Sequence, residues 1–465
     1  MSEQVAVIGG GITGLAAAWE AVGQGHRVTV YEAGTRFGGL ISTTGVDLPD
    51  GDALTIDEGA DAFLARVPDA LDLCEELGLG DQLCEPAVGR AMVATPAGLK
   101  WFPEASVLGV PTDIDALEAT GLLSAQGLER VRMERSAPVE ALRGDTSVGA
   151  LLRSRFGDEL VDRVVGPLVG GISAGDVDRM SVSATTPQLA EAASSAEPMS
   201  VNLTRSVARA SGGPVFKGLR GGMTTLTEAL VTQLRERGAT LLTNSPVRSL
   251  TGLGSSGLDS TELGGLDLGG FDLGGFDRVV VTTAARTAAN LVRPASPDVA
   301  RMLGTIDTAS VALATLVYPR STFDWPGDTS GYLVPRDAAL LLTAVSWGST
   351  KWPQWDDGEH FVVRASVGHR DDDRAATLDD KSLLAALRSD LSATCGLRAT
   401  PIATRISRWV DGFHQYDVDH LDLVQQIDDQ LRRDTRGRVV LAGCAYRGVG
   451  IPACIRAGRN AVAHN

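Results

Sequence analysis

The chain has 465 residues, and its 43% hydrophobic and 22% charged residues are ordinary proportions for a globular protein of about three domains. The formal net charge of −16 would repel a phosphate backbone, so a nucleic-acid partner is not expected. The sequence has no signal-peptide pattern and no run of about eighteen apolar residues. We therefore expect a cytoplasmic protein without a transmembrane segment, and peripheral membrane contact stays open.

The cysteines and histidines are few and show no metal-binding pattern. No C-x-x-C pair and no H-E-x-x-H pattern occurs, so we expect no metal site. We interpret the five cysteines as reduced thiols in the core or lining a site. They are Cys74, Cys84, Cys395, Cys444 and Cys454.

The first forty residues have the pattern of a β-α-β unit. An apolar strand over residues 5–8 precedes a glycine-rich turn, a helix from about 13 to 22 and a second strand over 27–31. A further helix is predicted over 68–77, with apolar residues on one face.

The rest of the chain alternates between helical and strand patterns. Residues 85–210 are mostly helical in periodicity and predict an inserted helical region. Helical spacing returns at Leu226, Leu230 and Leu234. The later predicted elements are strand-like segments at 240–242 and Val247, strands over 311–317, 331–334, 340–345 and 360–367, a helix over 382–391, a strand over 439–442 and a helix ending at 462. The last strand and helix are expected to complete the nucleotide domain that the first residues begin.

Residues 251–276 are low in complexity and repeat a five-residue unit that begins Gly-Gly. A calcium-binding roll would need the nonapeptide period and more copies. We interpret the segment as a flexible loop between two strands, the second of them over residues 277–282.

A G-x-G-x-x-G motif lies between the first strand and the first helix. Gly9 permits the tight turn, Gly11 lets a pyrophosphate approach the backbone, and Gly14 allows close packing of helix and strand. Unpaired N–H groups at the helix start attract the anion. Glu32 ends the second strand and can accept hydrogen bonds from both ribose hydroxyls. The pattern predicts dinucleotide binding and disfavours NADP.

Three segments resemble motifs of the glutathione-reductase-like flavoproteins. Residues 36–39 resemble the R-x-G-G motif, whose arginine can pair with a phosphate. Residues 56–63 resemble the segment beside the isoalloxazine ring, and residues 442–452 resemble the third flavin motif, where a helix N-terminus faces the flavin. The resemblance implies FAD, held without a covalent bond.

A narrower resemblance, to the porphyrinogen oxidases, covers nearly the whole chain. Residues 448–455 carry that family's G-x-G-I-P-x-C-I pattern, where amine oxidases and carotenoid desaturases usually differ. Residues 217–226 resemble its G-G-M-x-x-L segment. Further windows that agree with the family lie at 98–111, 155–176 and 409–420.

The chain departs from the family at two positions and in one insertion. His414 and Asp419 stand where the family has proline and glycine, and residues 251–276 are inserted. We expect these departures to affect loop geometry without touching the flavin motifs.

The resemblance implies a mixed α/β (α+β) fold with a Rossmann-like FAD-binding domain of the glutathione-reductase and amine-oxidase type. That domain is expected to be discontinuous, over 1–84, 211–285 and 425–465. A mainly helical inserted domain over 85–210 is expected to form part of the pocket, and a mixed-sheet substrate domain is expected over 286–424.

The implied activity is the oxygen-dependent, six-electron oxidation of coproporphyrinogen III to coproporphyrin III in haem biosynthesis. It would proceed by three hydride transfers to FAD and needs no obligatory protein base. Protoporphyrinogen IX stays open as the substrate. The alternatives from other classes are an amine or amino-acid oxidase and a non-catalytic flavin-binding protein. The oligomeric state and the physiological electron acceptor also stay open.

Family positions carry over to residues of this sequence, none of them as a catalytic residue or a metal ligand. Arg90 is expected to pair with a propionate, and small residues near 171–175 are expected to leave room for a flat ligand. The expected substrate-binding residues are Arg90, Gly171, Ile172, Ala174, Gly175 and Leu333. The expected FAD-binding residues are Gly9, Gly10, Gly11, Ile12, Thr13, Gly14, Glu32, Ala33, Arg36, Gly38, Gly39, Leu40, Gly59, Ala60, Asp61, Ala62, Val247, Trp409, Gly443, Val449, Gly450 and Ile451.

Overall fold

The structure is a computed structural model that describes residues 2–49, 51–209, 213–251, 270–272 and 275–463. Its strands are β1 (Gln4–Ile8), β2 (Arg27–Tyr31), β3 (Thr43–Asp47), β4 (Ala53–Asp57), β5 (Phe63–Leu64), β6 (Leu83–Cys84), β7 (Met92–Thr95), β8 (Gly98–Trp101), β9 (Ser106–Val107), β10 (Val110–Pro111), β11 (Phe216–Leu219), β12 (Thr240–Leu242), β13 (Ser249–Thr251), β14 (Gly270–Asp272), β15 (Arg278–Val281), β16 (Thr308–Pro319), β17 (Gly331–Leu333), β18 (Leu342–Trp347), β19 (His360–Val367), β20 (Ala403–His414) and β21 (Val439–Leu441).

The helices of the described residues follow the same numbering along the chain. They are α1 (Ile12–Gly23), α2 (Pro68–Glu76), α3 (Ile114–Thr120), α4 (Ala125–Met133), α5 (Val148–Phe156), α6 (Asp158–Leu160), α7 (Gly171–Ser173), α8 (Val182–Thr185), α9 (Pro187–Ala193), α10 (Met199–Arg209), α11 (Thr224–Glu236), α12 (Ala285–Val292), α13 (Pro297–Leu303), α14 (Gly348–Lys351), α15 (Arg374–Thr377), α16 (Asp380–Cys395), α17 (His420–Thr435) and α18 (Ile451–Ala463). A π-helical segment, Val161–Gly170, joins α6 to α7.

A parallel sheet in the order β12-β2-β1-β15-β21 carries the predicted β-α-β unit. Both ends of the chain contribute to it, as the sequence predicts, because β1 and β21 pair on either side of β15. Successive side chains of β1 point to opposite faces. Val5 and Val7 pack in the core with α1, α11 and α18, whereas Ala6 and Ile8 pack in the core with α12, α13 and α17.

Helices α1 and α18 approach each other through glycine. A Cβ atom on Gly458 would lie 2.2 Å from the carbonyl oxygen of Thr13. The two helices can approach this closely because α1 has small residues on the facing side, including the buried Ala16 and Ala17. The carboxyl-terminal helix is thereby packed against the helix that begins at the G-x-G-x-x-G motif.

A second sheet has seven strands in the order β20-β16-β19-β18-β17-β7-β8. Its last two strands come from residues 92–101, which lie in the region predicted from the sequence to be mainly helical. The difference arises because β7 and β8 are only four residues each, too short for a clear periodicity. Their position is set by pairing of β7 with the distant β17, where Leu333 lies opposite Val93.

The predicted helices are largely confirmed, and the strands are confirmed with small shifts. Leu226, Leu230 and Leu234 are fully buried on one stripe of α11. Val247, by contrast, lies before β13 and outside any strand, although it contacts the core. Most of the 251–276 segment lies outside the described residues. None of the described helices has the length and the hydropathy that a bilayer crossing requires.

Candidate active site

The glycine-rich turn after β1 has backbone geometry that side chains would disrupt. Gly9 has φ +108°, and a Cβ on Gly14 would lie 2.0 Å from the oxygen of Gly9. Gly38 and Gly39 have φ +112° and +59°, and the amide of Gly38 donates to Gly10 O at 2.8 Å. The two glycine segments are therefore brought side by side.

Helix α1 starts in this turn with its first N–H groups uncapped by any side chain. Gly11 is its N-cap residue, and Ile12 and Thr13 form its first turn. A Cβ on Gly11 would meet only Gly39 Cα, at 3.8 Å, among the described residues. The absence of a side chain at Gly11 thus leaves open space in front of a helix N-terminus, which is a favourable position for an anion.

Glu32 connects the end of β2 to the glycine turn. Its Oε2 accepts a hydrogen bond from the amide of Gly10 at 2.7 Å, and its Oε1 accepts one from the amide of Gly34 at 2.6 Å. Glu32 is partly buried, and the neighbouring Ala33 is exposed. Each carboxylate oxygen has a further lone pair, so the side chain can hold the loop and still accept from hydroxyl groups.

Arg36 shapes the loop that carries the two following glycines. Its guanidinium donates to the carbonyl oxygens of Phe37, Gly39 and Ile41, at 3.2, 2.8 and 2.9 Å. Within the described part of the chain no carboxylate pairs with it. Its charge is exposed and available to an anion, and pairing with a phosphate stays a prediction.

Three residues that are far apart in the sequence meet beside β4. A Cβ on Gly59 would lie 2.6 Å from the carbonyl oxygen of Leu40 and 3.5 Å from the ring of Trp409. The indole N–H of Trp409 donates to Glu58 O at 3.2 Å. The Glu58 carboxylate also accepts from Arg405 Nε at 2.7 Å. Burial would raise the pKa of Glu58, but hydrogen bonds from Ser42 and Arg405 hold it below its ordinary value.

Asp61 lies at the centre of a partly buried ion-pair network, with 15% of its side chain exposed. Its Oδ2 is 3.0 Å from Lys351 Nζ and 3.1 Å from Arg364 Nη1, and it accepts from the indole N–H of Trp352 at 3.0 Å. Arg364 Nη2 donates to Gly59 O at 2.6 Å, so the network fixes the backbone next to Ala60 and Ala62. Burial raises the pKa of Asp61, but the two cations lower it well below the ordinary range.

Sequence reasoning missed the partners of Asp61. Lys351 and Arg364 lie 290 and 303 residues after it, and nothing in their own sequence neighbourhood distinguishes them from surface cations. Arg364 is a buried charge, with 7% of its side chain exposed. A buried charge is rarely tolerated without a partner, so the burial of Arg364 would have indicated that it has an acidic partner. The sequence alone does not show that Arg364 is buried.

The carboxyl-terminal motif forms the loop between β21 and α18. Gly443 has φ +134°, and Val449 is exposed while Ile451 begins α18. The hydroxyl of Tyr416 donates to Cys444 O at 2.7 Å and accepts from the amide of Gly448 at 2.9 Å. The buried Tyr416 side chain thus holds the loop at both Cys444 and Gly448. Gly450 lies just before the start of α18.

The two substituted positions behave differently from each other. Asp419 has φ +65°, a conformation that glycine adopts freely and aspartate tolerates, which explains how it stands in the family's glycine position. His414 Nδ1 lies 3.6 Å from Cys444 Sγ. The expectation that the substitutions do not touch the flavin motifs is therefore wrong for His414.

The expected substrate residues fall into two groups. Gly171 and Ile172 lie in the short helix α7, and Ala174, at φ +52°, and Gly175 follow it, with Ile172 56% exposed. Asp176, the next residue, pairs with Arg336 at 3.2 Å, which places the turn at 171–175 near the end of the strand that carries Leu333.

Arg90 lies near the other end of β17, where the strand begins. Its guanidinium stacks over Trp101 at 4.0 Å and forms an ion pair with Glu104, and 48% of its side chain is exposed. Its carbonyl oxygen accepts from the amide of Ser330, just before β17. The charge of Arg90 is thus partly compensated within the chain.

The residues of the glycine turn fit a bound dinucleotide. A pyrophosphate with a ribose requires room, positive charge and a hydroxyl acceptor. The open space at Gly11 provides the room, and the uncapped start of α1 and the exposed Arg36 provide the positive charge. Glu32 provides the acceptor. The described residues hold no group of three or more side chains that could bind a metal ion.

The comparisons with known proteins agree with this geometry. Coproporphyrinogen III oxidase of Bacillus subtilis is 30% identical over 99% of this chain and 97% of its own length. Coproporphyrinogen III oxidase of Propionibacterium freudenreichii subsp. freudenreichii is 32% identical over 98% of this chain and 89% of its own length. A crystal structure from Exiguobacterium sp. 255-15, provisionally described as a protoporphyrinogen oxidase, superposes with a TM-score of 0.83 at 30% identity and covers 99% of this chain and 98% of that one. The model of the flavin-containing amine oxidoreductases matches residues 12–464, and the chain belongs to that family.

Proposed function

We propose that the protein is an FAD-dependent oxidase that converts coproporphyrinogen III to coproporphyrin III in haem biosynthesis. The observation that carries the proposal is full-length similarity, at 30–32% identity, to two coproporphyrinogen III oxidases, in a chain with an open dinucleotide cradle. Protoporphyrinogen IX is the second candidate substrate, because the Exiguobacterium structure carries that description.

The residues around the cradle have separate tasks in this proposal. The start of α1 and Arg36 would hold the pyrophosphate, and Glu32 would accept the ribose hydroxyls. The backbone at Gly59 and Ala60 would line the flavin ring, and Arg364 holds that backbone through Gly59 O. When bound, FAD supplies a two-electron acceptor that oxygen can regenerate, so six electrons require three cycles. No side chain is assigned as an obligatory base, and the chain contributes positioning and electrostatics.

The substrate is proposed to lie between Leu333 and the turn at 171–175. Glycine and alanine in that turn leave room for a wide flat ring, and the exposed Ile172 offers an apolar contact. We also propose the three-part domain division expected from the sequence, except that residues 92–101 belong with the substrate sheet because they pair with β17.

The proposal is tested by oxidation kinetics with coproporphyrinogen III and protoporphyrinogen IX side by side. Coproporphyrinogen III is expected to give the higher kcat/KM. Anaerobic mixing with either porphyrinogen should bleach the flavin. Flavin that no porphyrinogen bleaches would identify a non-catalytic protein, and turnover of amines alone would identify an amine oxidase.

The purified protein is expected to be yellow and to hold FAD without a covalent bond. Cys444 lies in the loop of the third flavin motif and is the residue most able to form a thioether there. Acid precipitation should therefore release all of the flavin into the supernatant. Flavin that stays with the precipitated wild type, and is released from Cys444→Ser, would contradict the expectation.

Arg90→Ala is expected to raise KM for coproporphyrinogen III by about fivefold to tenfold, with kcat little changed. A charge-assisted hydrogen bond to a propionate would be made equally in the ground and transition states. The low end of the range for such bonds applies, at about 1–1.5 kcal/mol, because Arg90 is half exposed and paired with Glu104. Lysine should restore only part of the loss, since it lacks the planar fork.

The matched control is Arg301→Ala, which removes an exposed arginine of α13 and should leave KM unchanged. A wild-type KM for Arg90→Ala would show that the propionates are held elsewhere, with Arg66 and Lys217 the next residues to replace.

A further inference from the structure

Three segments meet at the carboxyl end of β17, beside the proposed substrate pocket. A 3₁₀-helical turn, Arg336–Ala338, follows that strand. Arg336 Nη1 is 3.2 Å from Oδ2 of Asp176, the residue after the turn at 171–175. The amide of Arg370 donates to Ala174 O at 2.7 Å, so the loop after β19 contacts the same turn. Charged side chains from all three segments therefore lie at this end of the pocket.

Arg336 differs from the neighbouring arginines in how far its charge is compensated. Arg179 and Arg370 each contact two carboxylates, and Arg370 is 2% exposed. Arg336 contacts one carboxylate among the described residues, and 44% of its side chain is exposed. A guanidinium has five N–H donors, so Arg336 can donate to a second carboxylate that a ligand brings.

The charge of Arg336 also acts on His369, in the loop after β19. Burial, and after it the charge of Arg336, lowers the pKa of His369 below its ordinary value. The imidazole is therefore neutral at pH 7. His369 thus neither adds a second positive charge at this end of the pocket nor compensates the charge of Arg336.

Arg90 and Arg336 lie near opposite ends of β17. The carbonyl oxygen of Arg90 accepts from the amide of Ser330, just before the strand, and Arg336 lies three residues after Leu333. A strand rises about 3.3 Å per residue, so the chain from Ser330 to Arg336 spans roughly 20 Å at most. Both arginines are half exposed and are paired with a carboxylate. A ligand that lies along β17 would therefore meet a cation at each end.

The two candidate substrates differ in where they carry carboxylates. Coproporphyrinogen III has a propionate on each of its four pyrrole rings, so opposite edges of the macrocycle are both anionic. Protoporphyrinogen IX has propionates on two neighbouring rings and vinyl groups on the other two, so one edge is anionic and the other is apolar. A pocket with a cation at each end distinguishes the two, because a vinyl group cannot accept a hydrogen bond from the second cation.

We propose that Arg336 binds a propionate of coproporphyrinogen III and thereby makes the enzyme select this substrate over protoporphyrinogen IX. The guanidinium donates to the propionate on the edge that faces the end of β17, and Arg90 faces the opposite edge. The bond is made in the ground and transition states alike, so it lowers KM and leaves kcat little changed. This inference rests on the proposed function, since it concerns the substrate of the same site.

The test compares Arg336→Ala with the wild type on both porphyrinogens. KM for coproporphyrinogen III should rise by about fivefold to tenfold, the loss of one half-exposed, charge-assisted hydrogen bond. KM for protoporphyrinogen IX should stay at the wild-type value. The dissociation constant of coproporphyrin III from the FAD-loaded enzyme, measured by fluorescence titration, should rise by the same factor as KM. Arg432→Ala is the matched control, because it removes an exposed, ion-paired arginine of α17 and should change neither constant.

Asp176→Asn separates a propionate ligand from a residue that only holds the turn. Asparagine keeps an oxygen that can accept from the amide of Asp178, as Asp176 Oδ1 does at 3.0 Å, and it removes the charge that competes for Arg336. KM for coproporphyrinogen III should therefore fall or stay at the wild-type value. A rise that matches the effect of Arg336→Ala on both substrates would show that Arg336 acts only by holding the turn, and would overturn the proposal.

The proposal is also overturned if Arg336→Ala keeps the wild-type KM and product affinity, or if it loses equally on both porphyrinogens. Failure of the proposed function is seen separately, because the wild type would then oxidise neither porphyrinogen. The titrations with coproporphyrin III and protoporphyrin IX would still decide the role of Arg336, since they measure binding without turnover.

Discussion

Replacing Asp61 by asparagine is expected to lower the free energy of unfolding by about 3 kcal/mol, the low end of the range for removing one partner of a buried ion pair. The low end applies because Lys351 is 22% exposed, whereas Arg364 would keep its charge in a buried position without the carboxylate that both cations contact. The unfolding is followed by urea titration with saturating FAD, so that a change in cofactor affinity does not enter the comparison.

The effect of this substitution should depend on pH in a defined direction. The pKa of Asp61 in the folded protein lies below its ordinary value of 3.8, so the stabilisation is fully present above that value. It is lost as the pH falls through the folded-state pKa, where wild-type Asp61 is protonated. The difference between wild type and Asp61→Asn should therefore shrink under acid conditions.

Asp429→Asn is the matched control, because Asp429 forms an exposed ion pair with Arg432 on α17. Exposed pairs of this kind contribute about 0–1 kcal/mol, so its unfolding curve should nearly coincide with that of the wild type. Equal, small losses in both variants would show that the Asp61 network is not a buried ion pair in solution.

Glu32→Ala is expected to weaken FAD binding by about tenfold to a hundredfold. The substitution removes the acceptor of the Gly10 and Gly34 amides and the proposed acceptor of the ribose hydroxyls. Hydrogen bonds to a charged group contribute about 1.5–3 kcal/mol, and 1.4 kcal/mol corresponds to a factor of ten. The dissociation constant is measured by titrating the FAD-free protein with FAD.

Two further variants make this measurement specific. Glu32→Gln keeps the side-chain shape and one oxygen, so its loss should be smaller than that of alanine. Glu236→Ala removes an exposed carboxylate at the far end of α11 and should bind FAD as the wild type does. Unchanged affinity in Glu32→Ala would place Glu32 away from the ribose.

The β-α-β unit could be predicted because its determinants are local. The first thirty-two residues contain the glycines of the first turn, the small residues of α1 and the acid after β2. The positions of these residues can be recognised from strand and helix periodicity and from steric limits on the backbone. The resemblance then extended the prediction to Leu40, Gly59 and Trp409, which the structure brings into contact.

Other parts of the site depend on contacts that sequence spacing does not express. β7 and β8 are short segments whose place in the sheet follows from pairing with β17, some 240 residues later. The sequence predicts that His414 affects only loop geometry, whereas its contact with Cys444 follows from the packing of β20 against the loop after β21.

The nucleotide fold, the family and the residues of the glycine cradle could be read from the amino-acid sequence, because they rest on backbone conformation and on short motifs. The folded structure was needed to show that Asp61 is the centre of an ion-pair network, that Arg90 is partly neutralised by Glu104, and that Cys444 meets His414. The physical reason is that burial and charge compensation depend on which distant side chains are brought within a few ångströms, and folding alone sets those distances.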